Sequence, residues 1–269
     1  MPRVITRFAP APTGYLHLGH VLNAIYVWNI AHASGPDARV LLRIEDHDRD
    51  RCRPEFEAAL HEDLAWLGFA ADCGVARQSE RGELYERALD DLRARGLTYG
   101  CQCSRTEIGS ARYPGTCRDK HVRESDGVGI RVRLDATVER FDDLRLGLQE
   151  QRPSEQCGDL LVRDRRGNWT YQFAVVVDDW LQGVNLVIRG EDLLDSTGRQ
   201  IQLARLLGRG VPPSFLHHAL LMKAPAVKLS KSDGDTGVRD LRAKGWSAEA
   251  VIDRATRLAG MSCDRTPPI

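Results

Sequence analysis

The feature that most constrains the fold lies at residues 4–28, where an apolar run is followed by a turn and a helical pattern. The run from Val4 to Phe8 predicts a buried strand, which ends at the prolines and glycine of residues 10–14. From Val21 onward, apolar residues recur at helical spacing. A strand, a turn and a helix start present free backbone N–H groups and a positive dipole end, which favour an anion such as a phosphate.

Two histidines lie in the first turn of this predicted helix. His17 and His20 are three residues apart, so both rings can face one ligand and donate hydrogen bonds to phosphate oxygens. The alternative is that both rings only cap and pack the helix end. The pattern taken alone leaves both interpretations open.

A second basic motif lies late in the chain, in Lys228-Leu229-Ser230-Lys231-Ser232. Two lysines spaced three apart between small polar residues suit a loop that closes over a polyphosphate. Such a loop seen alone is more often simply solvated.

Composition limits the class of protein. The 269 residues include 38 Lys and Arg and 38 Asp and Glu, so the net charge is zero and a strong non-specific nucleic-acid binder is disfavoured. Recognition of tRNA through a local basic face stays possible. We expect a cytoplasmic protein without membrane contact, because no leader-like segment and no apolar run of membrane length is present.

The pattern of elements predicts a parallel sheet with crossover helices. Residues 1–98 contain a second apolar strand at 38–44 and helices at 54–67 and 82–95. Residues 99–158, with scattered glycine and proline and short strand candidates, predict an inserted subdomain. Residues 159–225 again contain alternating strand-like and helix-like patterns. They include a predicted hairpin at 159–171, helices at 173–180 and 196–207, and strands at 185–189 and 216–222. Residues 226–269 contain the lysine loop and a helical segment.

The predicted insertion carries a candidate metal site. Cys101, Cys103 and Cys117 are close in sequence, and three thiolates plus one further donor would complete a tetrahedral zinc site. By ligand frequency alone, His121 is the preferred fourth ligand. Reduced cysteines without a metal are the alternative, since seven cysteines in such a chain indicate thiols or metal ligands rather than a disulfide framework.

The two motifs, in this order, resemble the signatures of class I aminoacyl-tRNA synthetases. Flanking residues 7–14, 43–46 and 189–194 are similar to the catalytic core of glutamyl-tRNA synthetases. The resemblance implies an α/β Rossmann-type parallel-sheet catalytic domain with a small zinc-containing insertion and a C-terminal helical segment. It also implies structural zinc held by Cys101, Cys103, Tyr113 and Cys117, because the family has a tyrosine four residues before its third cysteine.

The resemblance implies roles for individual residues. ATP, with Mg²⁺, would be bound by His17, His20 and Lys231, and catalysis would involve His17, His20, Lys228 and Lys231. Glutamate would be bound by Arg7, Phe8, Ala9, Pro10, Ala11, Glu45, Tyr171 and Arg189. Glu45 would hold the ammonium group and the arginines a carboxylate, but the division between Arg7 and Arg189 stays open. Ala11 replaces a serine that many relatives have, so only a main-chain contact is expected there.

The reaction implied is activation of L-glutamate to glutamyl-adenylate. Only 38 residues follow Lys231, too few for an anticodon-binding domain. The chain therefore resembles the short paralogues, which transfer glutamate to queuosine in the anticodon loop of tRNA(Asp), and we expect a monomer. The alternatives are a minimal glutamyl-tRNA synthetase that charges a 3′ end, a small-metabolite nucleotidyltransferase, and a non-catalytic tRNA-binding relic. The nucleotidyltransferase fits the motifs poorly, and a non-catalytic relic would be expected to lose the histidines or lysines.

Overall fold

The computed structural model describes residues 3–48, 50–109, 112–224, 227–228 and 237–261. The strands, numbered in chain order, are β1 Ile5–Phe8, β2 Arg39–Ile44, β3 Ala76–Arg77, β4 Thr98–Cys101, β5 Gly129–Val132, β6 Glu139–Asp143, β7 Gly147–Gln151, β8 Leu160–Arg163, β9 Leu186–Gly190, β10 Ser214–His218, β11 Met222–Ala224 and β12 Val227–Lys228. The helices are α1 Leu18–Ala33, α2 Pro54–Leu67, α3 Gly82–Ala94, α4 Arg105–Ile108, α5 Pro153–Gln156, α6 Tyr171–Leu181, α7 Thr197–Leu206, α8 Val238–Ala243 and α9 Ala248–Leu258.

The predicted parallel sheet is confirmed. Strands β1, β2 and β3 are parallel, and so are β9, β10 and β6. Asn185 joins the two groups, because its backbone N–H donates to Ile5 O at 3.0 Å and its side-chain oxygen accepts from Ile5 N at 2.8 Å. The carboxyl ends of β1 and β9 therefore lie side by side, where ligands of such sheets bind.

Helix α1 is buried on every side. It packs against β1, β2 and β9 and also against the C-terminal helix α9. Its sequence is apolar almost throughout, as expected for a helix enclosed between two layers rather than one with a single apolar stripe. The buried residues of α1 are Leu18, Val21, Leu22, Ala24, Ile25, Tyr26, Val27, Trp28, Ile30 and Ala31. This packing fixes the N-terminal end of α1 beside the ends of the strands.

The region predicted as an insertion contributes to two sheets. Strands β4, β5 and β8 form a separate antiparallel sheet, although β8 follows residue 158. Strands β6 and β7 precede that residue, yet they extend the central sheet, because Asp143 of β6 pairs in parallel with Phe215 of β10. The sheets therefore do not divide at residues 98 and 158.

Two local predictions differ from the structure. Tyr171, expected in the second arm of a hairpin, instead begins α6, because the hairpin ends after one bridge between Arg163 and Trp169 and the Thr170 carbonyl then accepts from Ala174 N. The strand expected at 216–222 occupies Ser214–His218. None of the described helices is both long and apolar enough to cross a bilayer.

Candidate active site

The turn between β1 and α1 is fixed by the loop that follows β2. Glu45 N donates to Pro10 O at 3.0 Å, and Arg53 N donates to Pro12 O at 3.1 Å. The Phe8 side chain faces away from this turn and packs against Trp28, with ring centroids 5.5 Å apart. Phe8 can therefore meet a substrate only through its backbone, and contacts from the backbone of residues 8–11 stay a prediction.

His17 and His20 cap α1 in one defined orientation. Gly19 N donates to His17 Nδ1, and His17 N donates to His20 Nδ1, both at 3.1 Å. Because each Nδ1 accepts, hydrogen bonding assigns the proton of the neutral ring to Nε2 in both histidines. Gly19 leaves room for this cap, since a Cβ there would lie 2.9 Å from the His17 ring and would displace it. His17 and His20 can therefore cap α1 through Nδ1 and still present their Nε2–H groups to a ligand.

Described residues on both sides of the segment that contains the lysine motif contact α1 or the turn before it. Gly237 forms a bridge with His17, and Val238 N donates to Leu16 O at 2.9 Å. Before the segment, the His218 ring stacks on Tyr26 of α1 at 4.9 Å. Lys231 lies outside the described residues, and for Lys228 only its place in β12 is described. The residues that flank the segment are thus anchored to α1 and to the turn that contains His17.

The four predicted glutamate-binding side chains come together at the ends of β1, β2 and β9. Arg7, Glu45 and Arg189 are buried, and Arg7 Nη1 donates to the carbonyl of Ile188 at 3.2 Å. Tyr171 lies among them: burial and the Glu45 carboxylate raise its pKa, while Arg189 and Arg7 act in the opposite direction. This arrangement combines a carboxylate, a phenol and two guanidinium groups in one buried pocket.

A buried arginine that the sequence analysis did not assign, Arg43, organises the acidic side of this pocket. Its Nη1 donates to Asp179 at 2.7 Å and its Nη2 to Glu45 at 3.0 Å, and its Nε lies 3.8 Å from Asp178. Burial acts to lower the pKa of Arg43, but the three carboxylates raise it above its ordinary value. Asp179 also accepts from Arg7 Nε at 3.1 Å, so both arginines share one carboxylate.

The hydrogen-bond partners of Arg189 differ from those of Arg43. Its Nε, Nη1 and Nη2 donate to His217 Nε2, Gln200 Oε1 and Thr197 Oγ1 at 3.0, 2.7 and 2.9 Å. None of these acceptors is a carboxylate, and burial lowers the pKa of Arg189 below its ordinary value. His217 donates through Nδ1 to Asp143 at 2.7 Å. A signal for His217 existed in its position between the apolar residues Phe215-Leu216 and Ala219-Leu220, and Asp178 and Asp179 similarly interrupt an apolar helix.

The three cysteines of the predicted metal site converge. Their sulfur atoms all lie within 4.8 Å of one another, with Cys103 and Cys117 at 3.6 Å. The Tyr113 hydroxyl lies 3.5 Å from Cys101 Sγ. A tetrahedron with metal–sulfur bonds of about 2.3 Å has sulfur–sulfur edges of roughly 3.8 Å, so these residues fit a zinc ion. His121 is exposed and outside this cluster. Gly158 permits the fold here, because a Cβ would lie 2.1 Å from Tyr113 O.

A cavity of about 960 Å³ extends from the pocket to this cluster. Its wall includes Tyr171 of the pocket, Cys101 and Cys103 of the cluster, and also His47 and Arg166. Its size is in the range of cavities that bind small molecules or a nucleoside. The pocket therefore opens toward the antiparallel sheet.

Comparison with known proteins identifies the group. Residues 3–266 match the family described as tRNA synthetases class I (E and Q), catalytic domain. The chain is 42% identical to the glutamyl-Q tRNA(Asp) synthetase of Rhodobacter capsulatus, over 91% of this chain and 96% of the relative. It is also 42% identical to that of Symbiobacterium thermophilum, over 98% of this chain and 88% of the relative.

A solved structure agrees with this assignment. The glutamate tRNA ligase of Elizabethkingia meningosepticum, in complex with its amino acid, superposes with a TM-score of 0.76 at 28% identity over 87% of this chain. This chain spans 53% of that ligase. The fold is therefore that of class I tRNA synthetases. The chain is a ligase that belongs to the glutamyl-Q tRNA(Asp) synthetase family of class I tRNA synthetases.

Proposed function

We propose that this protein activates L-glutamate with ATP and transfers the glutamyl group to queuosine in the anticodon loop of tRNA(Asp). The observation that supports glutamate is the pocket built from Arg7, Glu45, Tyr171 and Arg189. Asp179 already accepts from Arg7, whereas the acceptors around Arg189 are neutral. We therefore assign the side-chain carboxylate of glutamate to Arg189 and Tyr171, and a supporting role to Arg7.

Glu45 is the group that we assign to the ammonium of the substrate. Arg43 engages Oε1 of Glu45 at 3.0 Å and thereby fixes the carboxylate plane. Oε2 of Glu45 is then the acceptor for an ammonium N–H. The substrate α-carboxylate would extend from this position toward the start of α1.

The nucleotide would lie between α1 and the lysine segment. In the first step, a glutamate α-carboxylate oxygen attacks the α-phosphorus of ATP, the bond to pyrophosphate breaks, and pyrophosphate leaves. The Nε2–H groups of His17 and His20, together with Lys228 and Lys231, would stabilise the charge that develops on the phosphate oxygens. Mg²⁺ bound with ATP would supply further charge neutralisation.

The second step needs an acceptor hydroxyl. A hydroxyl of queuosine attacks the glutamyl carbonyl carbon and loses its proton as AMP leaves. The cavity beyond Tyr171 is the route that we propose for the acceptor nucleoside, because it leads from the pocket to the surface.

Glutamate-dependent ATP–pyrophosphate exchange tests the first step. We expect exchange with glutamate and much weaker exchange with glutamine or aspartate. No amino-acid-dependent exchange would contradict activation, and exchange with a different small metabolite would support the nucleotidyltransferase alternative. Lys231→Ala should lower exchange by orders of magnitude with little change in glutamate binding, and near-normal exchange would refute the proposed role of Lys231.

Matched RNAs test the second step. Labelled glutamate is offered with queuosine-containing tRNA(Asp), with the same tRNA lacking queuosine, and with a queuosine-containing anticodon stem-loop that has no 3′ acceptor end. We expect label on the first and third RNAs only. Label on the tRNA that lacks queuosine would indicate an ordinary synthetase that charges the 3′ end.

The cysteine cluster would hold one structural zinc ion through Cys101, Cys103, Tyr113 and Cys117. Elemental analysis should find one zinc per chain. Tyr113→Phe should weaken retention of zinc during dialysis against a chelator, whereas Tyr99→Phe, a nearby buried tyrosine bonded to Asp159, should not. Loss of zinc from His121→Ala but not from Tyr113→Phe would instead favour His121 as fourth ligand.

A further inference from the structure

All three nitrogens of the Arg189 guanidinium donate hydrogen bonds, but only to neutral acceptors. Each of its three nitrogens donates to a different residue, and these residues come from β10 and α7. Among the described residues, no carboxylate oxygen lies within 4 Å of it in an ion pair, although the group is only 4% exposed. The side chain is thus held in position by hydrogen bonds to groups that carry no negative charge.

His217 can serve as an acceptor for Arg189 in one tautomer only. Its Nδ1 lies 2.7 Å from Asp143 Oδ2, and an ionised carboxylate can only accept, so Nδ1 carries the proton. Nε2 then has a lone pair directed at Arg189 Nε, 3.0 Å away. The opposite tautomer would place two N–H groups against each other at this contact.

Asp143 is itself fixed by the backbone. Its Oδ1 accepts from the N–H groups of Arg145 and Leu146 at 3.1 and 2.9 Å, and its Oδ2 accepts from His217 N at 3.0 Å. These bonds leave the carboxylate no freedom to rotate away from the imidazole. Asp143 lies at the end of β6, so a strand from outside the parallel βα units helps to build the pocket.

Burial and the neighbouring Arg189 keep the His217 ring neutral. Asp143 faces it from β6, Arg189 from β9 and His218 from the same strand, and the Arg145 side chain donates to the His217 carbonyl. Burial and Arg189 lower the pKa of His217 to about 4, although Asp143 acts to raise it. At neutral pH the ring is therefore an uncharged acceptor.

We propose that Asp143 and His217 form a positioning pair that orients Arg189 for an acidic substrate side chain and so sets the preference for glutamate over glutamine. A carboxylate bonded directly to Arg189 would orient it as well, but would also neutralise it. The imidazole between them transmits the orientation while the positive charge stays available to the substrate. This inference rests on the proposed function, in which Arg189 binds glutamate.

Kinetics of His217 variants test the pair. In ATP–pyrophosphate exchange, His217→Phe should raise the KM for glutamate about 30-fold and lower the glutamate-to-glutamine ratio of kcat/KM at least about 10-fold. The KM for ATP should stay unchanged. His217→Gln should restore part of both losses, because its side-chain oxygen can accept from Arg189 Nε.

His218→Gln is the matched control. His218 is a buried neighbour in the same strand, but its ring lies against Asn23 and Tyr26 rather than Arg189. We expect it to leave the glutamate-to-glutamine ratio unchanged. Equal changes in both histidine variants, or a His217→Phe enzyme with wild-type KM and ratio, would overturn the inference.

A folding defect and a failure of the proposed function can each be distinguished from a failure of this inference. If His217→Phe does not fold, Asp143→Asn provides a second test, because its amide can donate to Nδ1 and favour the tautomer that turns an N–H toward Arg189. An unchanged glutamate-to-glutamine ratio in Asp143→Asn would then overturn the inference. Absence of glutamate-dependent exchange in the wild-type protein would instead refute the proposed function.

Discussion

Two buried arginines at the ends of neighbouring parts of the central sheet have opposite surroundings. Arg43 of β2 is bonded to the carboxylates of Asp179 and Glu45, with Asp178 at 3.8 Å. Arg189 of β9 is bonded to an imidazole, an amide and a hydroxyl. The pKa of the first is raised by its partners and that of the second is lowered by burial.

This difference distinguishes an arginine that stabilises the fold from one that is available to bind a ligand. A buried arginine that is already paired has little attraction left for a ligand, and its removal strands the carboxylates around it. A buried arginine with neutral partners gains most when a substrate carboxylate arrives. The comparison therefore predicts that Arg43 matters mainly for stability and Arg189 mainly for glutamate.

Replacement of Arg189 should give the largest effect. Arg189→Gln should lower kcat/KM for glutamate by about 10⁴-fold, because a site built to bind a polar group discriminates by that order. The melting temperature should fall less than in Arg43→Met, since hydrogen bonds to neutral acceptors are lost but no ion pair is. Exchange kinetics and a thermal melt measure the two quantities.

Arg209→Gln is the control for this prediction. Arg209 is a second, partly buried arginine whose hydrogen bonds go to neutral acceptors, the carbonyls of Val184 and Val211, beyond the N-terminal end of β9. The kcat/KM of this variant should stay within about twofold of the wild-type value, because the hydrogen bonds that it removes go to backbone carbonyls and not to a glutamate-binding side chain. A similar loss in both variants would contradict the specific role of Arg189.

Replacement of Arg43 should give the largest loss of stability. Arg43→Met removes a cation that three buried carboxylates share, and only Asp179 and Asp178 keep another arginine, Arg7 and Arg81. The free energy of unfolding should therefore fall by about 3–5 kcal/mol. Arg81→Met, which removes one contact to Asp178, should have a smaller effect. Urea unfolding measures both, and a loss below about 1 kcal/mol in Arg43→Met would contradict the structural role.

The two arginines also illustrate what the sequence could predict. Strand and helix positions followed from apolar periodicity, and α2 begins at Pro54 and ends before Gly68, as expected. The resemblance placed Arg7, Glu45, Tyr171 and Arg189 in one pocket, and the structure brings these residues together. Their catalytic and binding roles remain predictions.

What the sequence could not predict is pairing across long separations. Arg43 meets Asp179 across 136 residues, and Asp143 meets His217 across 74. No local pattern specifies which strands become neighbours, so β6 was grouped with the insertion although it pairs with β10. The polar residues at 178, 179 and 217 inside apolar segments were the available signal that these segments face a buried polar site.

The neutral state of His217 predicts a pH dependence of stability. Its pKa of about 4 in the folded protein lies below the ordinary value of 6.5, so the unfolded chain binds the proton more readily. The contribution is constant above pH 6.5 and stability is lost as the pH falls toward 4. Between pH 7 and 5 the loss should be about 2 kcal/mol.

Urea unfolding of the wild type and of His217→Gln, each at both pH values, measures this contribution to stability. The variant lacks the titrating ring, so its loss should be smaller by about that 2 kcal/mol. Equal losses in the two proteins would contradict a neutral His217 beside Arg189. Other groups titrate equally in both proteins and cancel in the difference.

Replacement of Asp63 should give the smallest change in stability. Like Arg189, Asp63 is a buried ionisable group that is not hydrogen-bonded to a group of opposite charge. It is fully buried in α2, neither of its oxygens has a hydrogen-bond partner among the described residues, and the nearest cation, Arg239, lies 3.8 Å away. Burial raises its pKa from 3.8 to about 6. This raised pKa means that stability present at acid pH is lost as the pH rises through 6.

Asp63→Asn should therefore stabilise the protein at pH 7. The gain should be about 1 kcal/mol, because removal of the charge is partly offset by burial of an amide without partners. Unfolding in urea at pH 7 and pH 4 measures the difference between variant and wild type. The gain should vanish at pH 4, where the wild-type carboxyl is protonated in the folded protein. A gain that persists there would mean that shape or packing, rather than the uncompensated charge, separates Asp63 from the paired carboxylates around Arg43.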